Sequence, residues 1–249
     1  MMGNQIDVLS RDYGQYEQYE AAAAKYLVPY LSQHPPSALT FFVNPVDCGF
    51  TDLVSPPLEP YRRRFGIFLC TSFLSSSLLM KQLNNSACWS AVRELELQVM
   101  APSTFDFGLQ PGIVSTFTAF SSVTTLSTVD DALHLLLQEP SITSTLLPAL
   151  AILRISEPHT EGEDPPPHHR FLQFRREIGK PISVLKMSFT LWRVAEDINM
   201  DYLEEHSGLL VEWHFGDEGP GPEQYMCGDG APERLQLPGR DWGWEDSEE

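Results

Sequence analysis

The sequence predicts an α/β fold in which parallel strands alternate with helices along a curved solenoid. Three observations carry that expectation. Short alternating apolar runs recur at nearly constant spacing, helix-like segments lie between them, and no Gly-rich strand-to-helix turn marks a dinucleotide-binding sheet. With 249 residues, 42% of them hydrophobic and 11% aromatic, the chain is long enough to bury about 70–75% of its unfolded surface.

The strand signal is a triplet of apolar, any, apolar residues set in an alternating stretch. It occurs in Val92–Val99, Val123–Val129, Leu150–Ser156, Ile182–Phe189 and Leu209–Phe215. Aligned on Leu95, Leu126, Leu153, Leu185 and Val211, the runs are 31, 27, 32 and 26 residues apart. Leu39, in the stretch ALTFFVN, lies 56 residues before Leu95, which is two further steps of 28. Alternation places successive side chains on opposite faces of a strand, so one face is apolar and the other polar.

Helices are expected between these strands. Tyr16–Leu31 carries an Ala run with Pro29 late in it, and Arg62–Leu83 holds the uncharged stretch Phe65–Met80. Asp130–Gln138 opens on two acids and stops before Pro140. His169–Ile178 ends at Gly179, and Asn199–His206 ends before Gly208, the residue type favoured just past a helix. One strand and one helix per unit at a period near 28 is a leucine-rich-repeat-like pattern, here irregular. An ordinary doubly wound sheet gives the same element order; the regular spacing favours the solenoid.

The expected organisation is an N-terminal helical segment over 1–35, a repeat domain over 36–216 and an acidic Gly/Pro-rich tail over 217–249. Glu196–Glu249 holds 16 acids against two bases, Arg234 and Arg240, and so carries most of the net charge of −18. That charge argues against binding nucleic acid or an anionic membrane surface. Phe65–Met80 is shorter than the roughly 20 residues needed to span a bilayer and is read as a buried core helix. Anchoring in a membrane through it is the competing reading. Cys48, Cys70, Cys88 and Cys227 are widely spaced, which suits a reducing cytoplasm or nucleus.

No nucleophile elbow, phosphate loop, zinc-protease helix or dinucleotide fingerprint is present in the sequence. His168 and His169 are adjacent and diverge on a helix, and His206 and His214 fall on different elements. Glu204, Glu205 and His206 are neighbours at a helix end, where side chains are not expected to converge. The expectation is therefore no catalytic residue, no metal and no cofactor, with an enzyme of ordinary α/β fold as the alternative. Binding is assigned to the polar positions of the strands: Glu94, Glu96, Gln98, Ser127, Arg154, Lys186, Glu212 and His214. Read across the sheet, the central position runs Glu96, Ser127, Arg154, Lys186, Glu212, with two bases between acids.

The stretches Phe171–Met187, Tyr202–Trp213 and Glu223–Leu235 resemble the C-terminal portion of F-box proteins from mushroom-forming fungi. The most specific part is a Cys-Gly-x-Gly-x-Pro-Glu ending, here Cys227, Gly228, Gly230, Pro232 and Glu233. The resemblance spans roughly residues 36–237. It implies a leucine-rich-repeat region that binds a protein target as the substrate-recognition part of a ubiquitin ligase. Residues 1–35 hold no recognisable F-box, so engagement of the ligase adaptor is expected only if an F-box is present outside this chain or hidden in it.

Overall fold

The computed structural model describes residues 4–7, 13–44, 47–52, 65–70, 77–99, 111–158, 165–189, 198–216 and 221–237. The chain divides into two compact units, Met1–Leu150 and Ala151–Glu249, so the boundary falls inside the expected repeat region.

In the first unit, β1 (Asn4–Asp7), β2 (Ala38–Val43), β3 (Asp47–Asp52), β4 (Phe65–Cys70), β5 (Glu94–Val99) and β6 (Thr125–Thr128) form one sheet in the order β1-β4-β3-β2-β5-β6. The strands read from the repeat pair in parallel, but β2 lies directly beside β5, where two steps of 28 call for an intervening unit. β2 lies parallel to β5 with Leu39 opposite Leu95, and β5 lies parallel to β6 with Leu95 opposite Leu126. Helices α1 (Tyr13–Gln33), α2 (Leu78–Asn85), α3 (Pro111–Ala119), α4 (Asp130–Leu137) and α5 (Pro140–Thr143) complete the unit.

Two features differ from the expected pattern. First, Phe65–Met80 is not a helix: it begins as strand β4, paired on both sides by β1 and β3, and only its last residues enter α2. A continuous apolar run such as FGIFLC fits a strand enclosed in a sheet as well as a buried helix, and periodicity alone does not separate them. Among the described residues no helix is long and apolar enough to cross a membrane. Second, the strands are not all parallel, because β3 runs antiparallel to both β2 and β4. α1 runs through Pro29, as the expected span Tyr16–Leu31 does. Leu27 and Leu31, both buried, anchor the helix on either side of the ring, so packing overrides the lost backbone donor.

The core of this unit is an aromatic cluster. Phe41 and Phe50 stack at 4.6 Å, Phe50 lies 5.4 Å from Trp89, and Phe117 and Phe120 close the group against Phe41, Phe50 and Trp89. Offset and edge-on rings of this kind add to the stabilisation from burial itself. α1 and α2 are joined by a buried carboxylate. Ser77 Oγ donates to Glu20 Oε1 at 2.5 Å, the Leu78 amide donates to Glu20 Oε2 at 3.1 Å, and Ser77 Oγ in turn accepts from the Met80 amide. Glu20 thereby accepts one unpaired amide at the start of α2 while Ser77 accepts another, and the carboxylate places a negative charge at the helix's positive end.

In the second unit, β7 (Ile152–Ser156), β8 (Val184–Phe189), β10 (Leu210–Phe215) and β11 (Glu223–Met226) lie in that order, and β9 (Ile198–Asn199) pairs with β12 (Gln236–Leu237). Leu153, Leu185 and Val211 are in register across the parallel strands β7, β8 and β10, as the sequence alignment requires. α6 (Pro167–Glu177) starts two residues earlier than expected, with Pro167 at its first position. It ends where the sequence places its stop. Gly179, at φ +72°, sends its amide to Arg176 O while the Lys180 amide reaches Arg175 O, the paired closure of a Schellman motif. The buried Arg175 guanidinium adds a bond from Nε to Lys180 O, and burial holds its pKa below the usual value. Part of the expected tail is built into the fold: β11 pairs antiparallel with β10, and Pro232–Leu235 forms a 3-10 turn leading into β12.

The aromatic cluster generates a stability test. Phe50→Ala is expected to lower the unfolding free energy by about 3–5 kcal/mol in urea denaturation, because the cavity is walled by rings that relax only partly.

Candidate functional site

Burial alternates along the strands. In β5, Leu95 and Leu97 are buried while Glu94 and Gln98 are exposed and Glu96 is half-buried. In β7, β8 and β10, Leu153 and Ile155, Leu185 and Met187, and Val211 and Trp213 are buried, whereas Arg154, Lys186 and Glu212 are half-buried and His214 is exposed. Ser127 of β6 is half-buried between the buried Leu126 and Thr128.

Register then sets the neighbours. In the first unit, Glu96 lies between Thr40 and Ser127. Both its carboxylate oxygens are engaged, since Thr40 Oγ1 donates to Oε2 and Gln98 Nε2 donates to Oε1, each at 2.8 Å. In the second unit, Lys186 lies between Arg154 and Glu212, and Lys186 Nζ meets Glu212 Oε2 at 2.5 Å. Register thus brings Glu96 and Ser127 side by side in the first unit, and Arg154, Lys186 and Glu212 in the second. The charge pattern differs from a simple pair of bases between acids, because Lys186 is neutralised by its strand neighbour.

The structure also assembles a group that the sequence reading dispersed. His169 sits in the first turn of α6, and Glu205 and His206 end the 3-10 turn Asp201–Glu205. His169 Nε2 lies 2.6 Å from Glu205 Oε1, and His206 Nε2 lies 3.7 Å from the same oxygen. The rings of His169 and His206 meet edge to face at 5.1 Å. On the other side of His169 the Tyr202 ring stacks at 5.1 Å, and His168 Nε2 is 2.6 Å from Tyr202 Oη. Arg176 Nη1 donates to the Glu205 carbonyl at 2.8 Å, fixing the turn from the helix side.

The expectation that Glu205 and His206 do not converge fails for a local reason. His206 is the residue that leaves the turn, at φ −90° and ψ 58°, so the two side chains are not separated by the 100° step of an α-helix. His168 and His169 do diverge, one to Tyr202 and the other to Glu205. The electrostatics follow from placement. The hydrogen bond from His169 holds the Glu205 carboxyl below the usual carboxylate range. Burial pushes His206 down to about 4, with the Arg176 guanidinium acting in the same sense, so its imidazole is neutral at pH 7.

Glu204 turns the other way, toward the Cys227–Glu233 ending. Backbone amides of Gly228 and Gly230 and the Tyr225 hydroxyl hold its carboxyl below the usual range, and the Gly230 amide is 3.3 Å from Oε1. Gly228 and Gly230 take φ of +92° and +82°, which favours glycine. Cys227 is buried, with its amide bonded to Leu209 O and its carbonyl to the Gly208 amide. The ending is therefore a structural clasp on the start of β10.

No protein-family model, curated protein or solved structure matches this chain. Fold and site together define a mixed α/β protein in which strands β5, β7, β8 and β10 alternate buried apolar residues with more exposed, largely polar ones.

Two outcomes are expected at the clasp. A Cβ on Gly228 would stand 2.6 Å from Ser207 Oγ at a φ disfavoured for other residues. Gly228→Ala is therefore expected to cost about 1–3 kcal/mol, read as a lowered melting temperature. Burial pushes the Cys227 thiol up to about 12 from its ordinary value of 9.0. Between these two values the unfolded chain loses its thiol proton first, so this contribution to stability falls as pH rises from 9.0 toward about 12. Unfolding curves across that range should fall more steeply for the native chain than for Cys227→Ala.

Proposed function

We propose that this chain is a non-catalytic protein-interaction module that binds a protein target along the polar face of its strands. The observation that carries this reading is the alternation of burial in β5, β7, β8 and β10, with polar side chains aligned by register within each unit. A doubly wound sheet has helices on both faces, and its strands are apolar at every position. Strands with one half-open polar face instead favour the irregular leucine-rich-repeat-like solenoid, whose aligned polar positions form a broad surface suited to proteins. The F-box resemblance refines the reading to the substrate-recognition part of a ubiquitin ligase acting in the cytoplasm or nucleus, with the adaptor engaged only through an F-box outside this chain or hidden in it.

Arg154 and Lys186 are the positions to test. Lys186 is 39% exposed and its ion pair with Glu212 is worth little in water. Arg154→Glu combined with Lys186→Glu should change the melting temperature only slightly. Affinity capture from the native cell, read by mass spectrometry, should lose a reproducible target with this double variant. Unchanged capture would remove the strand face from the reading. Recovery of a Skp1-type adaptor and a cullin with the unaltered chain would tie it to a ligase.

A further inference from the structure

We propose that His169, Glu205 and His206 form a binding site for a divalent transition-metal ion of the zinc class. One atom from each residue converges, and all three lie within 4.8 Å of one another. A tetrahedral ion with ligand bonds of about 2.0–2.2 Å holds its donors about 3.3–3.6 Å apart, so a side-chain shift of about 1 Å closes the site. His169 Nε2 and His206 Nε2 already lie 2.6 and 3.7 Å from Glu205 Oε1, so the closure falls mainly between the two imidazoles, and the 50% exposed Glu205 carboxylate adjusts to them.

Three features go beyond a hydrogen-bonded pair. The first is His206 Nε2, a buried atom with no hydrogen-bond partner among the described residues, on a residue only 6% exposed, 3.7 Å from the Glu205 oxygen. Such an orphaned donor or acceptor is costly unless something occupies it. The second is convergence: His169 Nε2 and His206 Nε2 approach the same Glu205 oxygen, at 2.6 and 3.7 Å. The third is orientation: Tyr202 stacked on His169 and Arg176 bonded to the Glu205 carbonyl keep donors from two elements in place.

The donor set selects the ion. Two imidazole nitrogens and one carboxylate oxygen suit Zn2+ and its first-row neighbours, whereas Ca2+ and Mg2+ favour oxygen donors alone. On binding, the ion replaces the hydrogen bond between His169 Nε2 and Glu205; the proton displaced from Nε2 passes to the buffer, and the imidazole then carries a single proton, on Nδ1. The exposed side of Glu205 leaves room for water as a further ligand.

The test uses the full chain stripped with a chelator and titrated with Zn2+, followed by calorimetry, melting temperature and metal analysis after dialysis. One equivalent of Zn2+ and a raised melting temperature are expected, with Co2+ giving a visible band of tetrahedral character. Glu205→Gln alters an exposed side chain and should fold normally, yet weaken Zn2+ binding by at least about tenfold. His206→Ala should abolish it; if that variant does not fold, His169→Phe, which keeps a ring against Tyr202, takes its place. Absence of saturable Zn2+ and Co2+ binding overturns the proposal. So does Zn2+ binding of unchanged affinity in Glu205→Gln and the histidine variant, which would place the ion at another histidine.

Discussion

The rest of the structure depends on register between neighbouring parallel strands. Leu39, Leu95 and Leu126 face one another in one unit, and Leu153, Leu185 and Val211 do so in the other. A slip of one residue would move every leucine to the polar face and bring Glu96 or Lys186 into the core. Burying a carboxylate or an ammonium without a partner costs far more than one strand gains, so the alternation itself holds the register. The connections may vary in length by several residues, provided each strand re-enters with the same parity. Spacings of 26–32 residues are consistent with that freedom.

Register alone leaves the helix ends to be closed by specific groups. The start of α2 is closed by Ser77 and by Glu20 from α1, so one buried carboxylate both caps a helix and joins two helices. The end of α6 is closed by Gly179 and the buried Arg175, which turn the chain toward β8. Glu204 and the Cys227–Gly230 turn do the same for the chain entering β10. Each is a polar group whose burial is tolerated because backbone donors or acceptors satisfy it.

These two layers were unequally legible in the sequence. The alternating strands could be read because a period of two is written in consecutive residues. Gly179 could be read because a left-handed position demands glycine. β4 was misread, since FGIFLC carries no period, and β3, reading DCGFTD, carries too little apolar signal to register as a strand. β11 lies in a Gly/Pro-rich stretch whose composition suggested a tail, yet Tyr225 is buried there and bonds the Ala231 amide. The cluster at His169 was illegible for a different reason. It joins residues 36 positions apart, and its geometry depends on one non-helical residue, His206, which no spacing rule anticipates.

The placement of that cluster bears on the strand face. α6, which carries His169, leads through Gly179 into β8 and Lys186, and the turn carrying Glu205 and His206 leads through Gly208 into β10 and Glu212. Cross-linking the two turns therefore ties together the segments that feed neighbouring strands. Side chains on adjacent strands hold a fixed spacing only if their connections do not shift against each other. The His169–Glu205 contact and the Arg176 bond to the Glu205 carbonyl both act between those connections. A polar strand face that recognises a protein needs pre-organised side chains, since ordering them on contact costs affinity. The same residues that gather a cation would thus hold Lys186 and Glu212 in the geometry that the strand ladder presents.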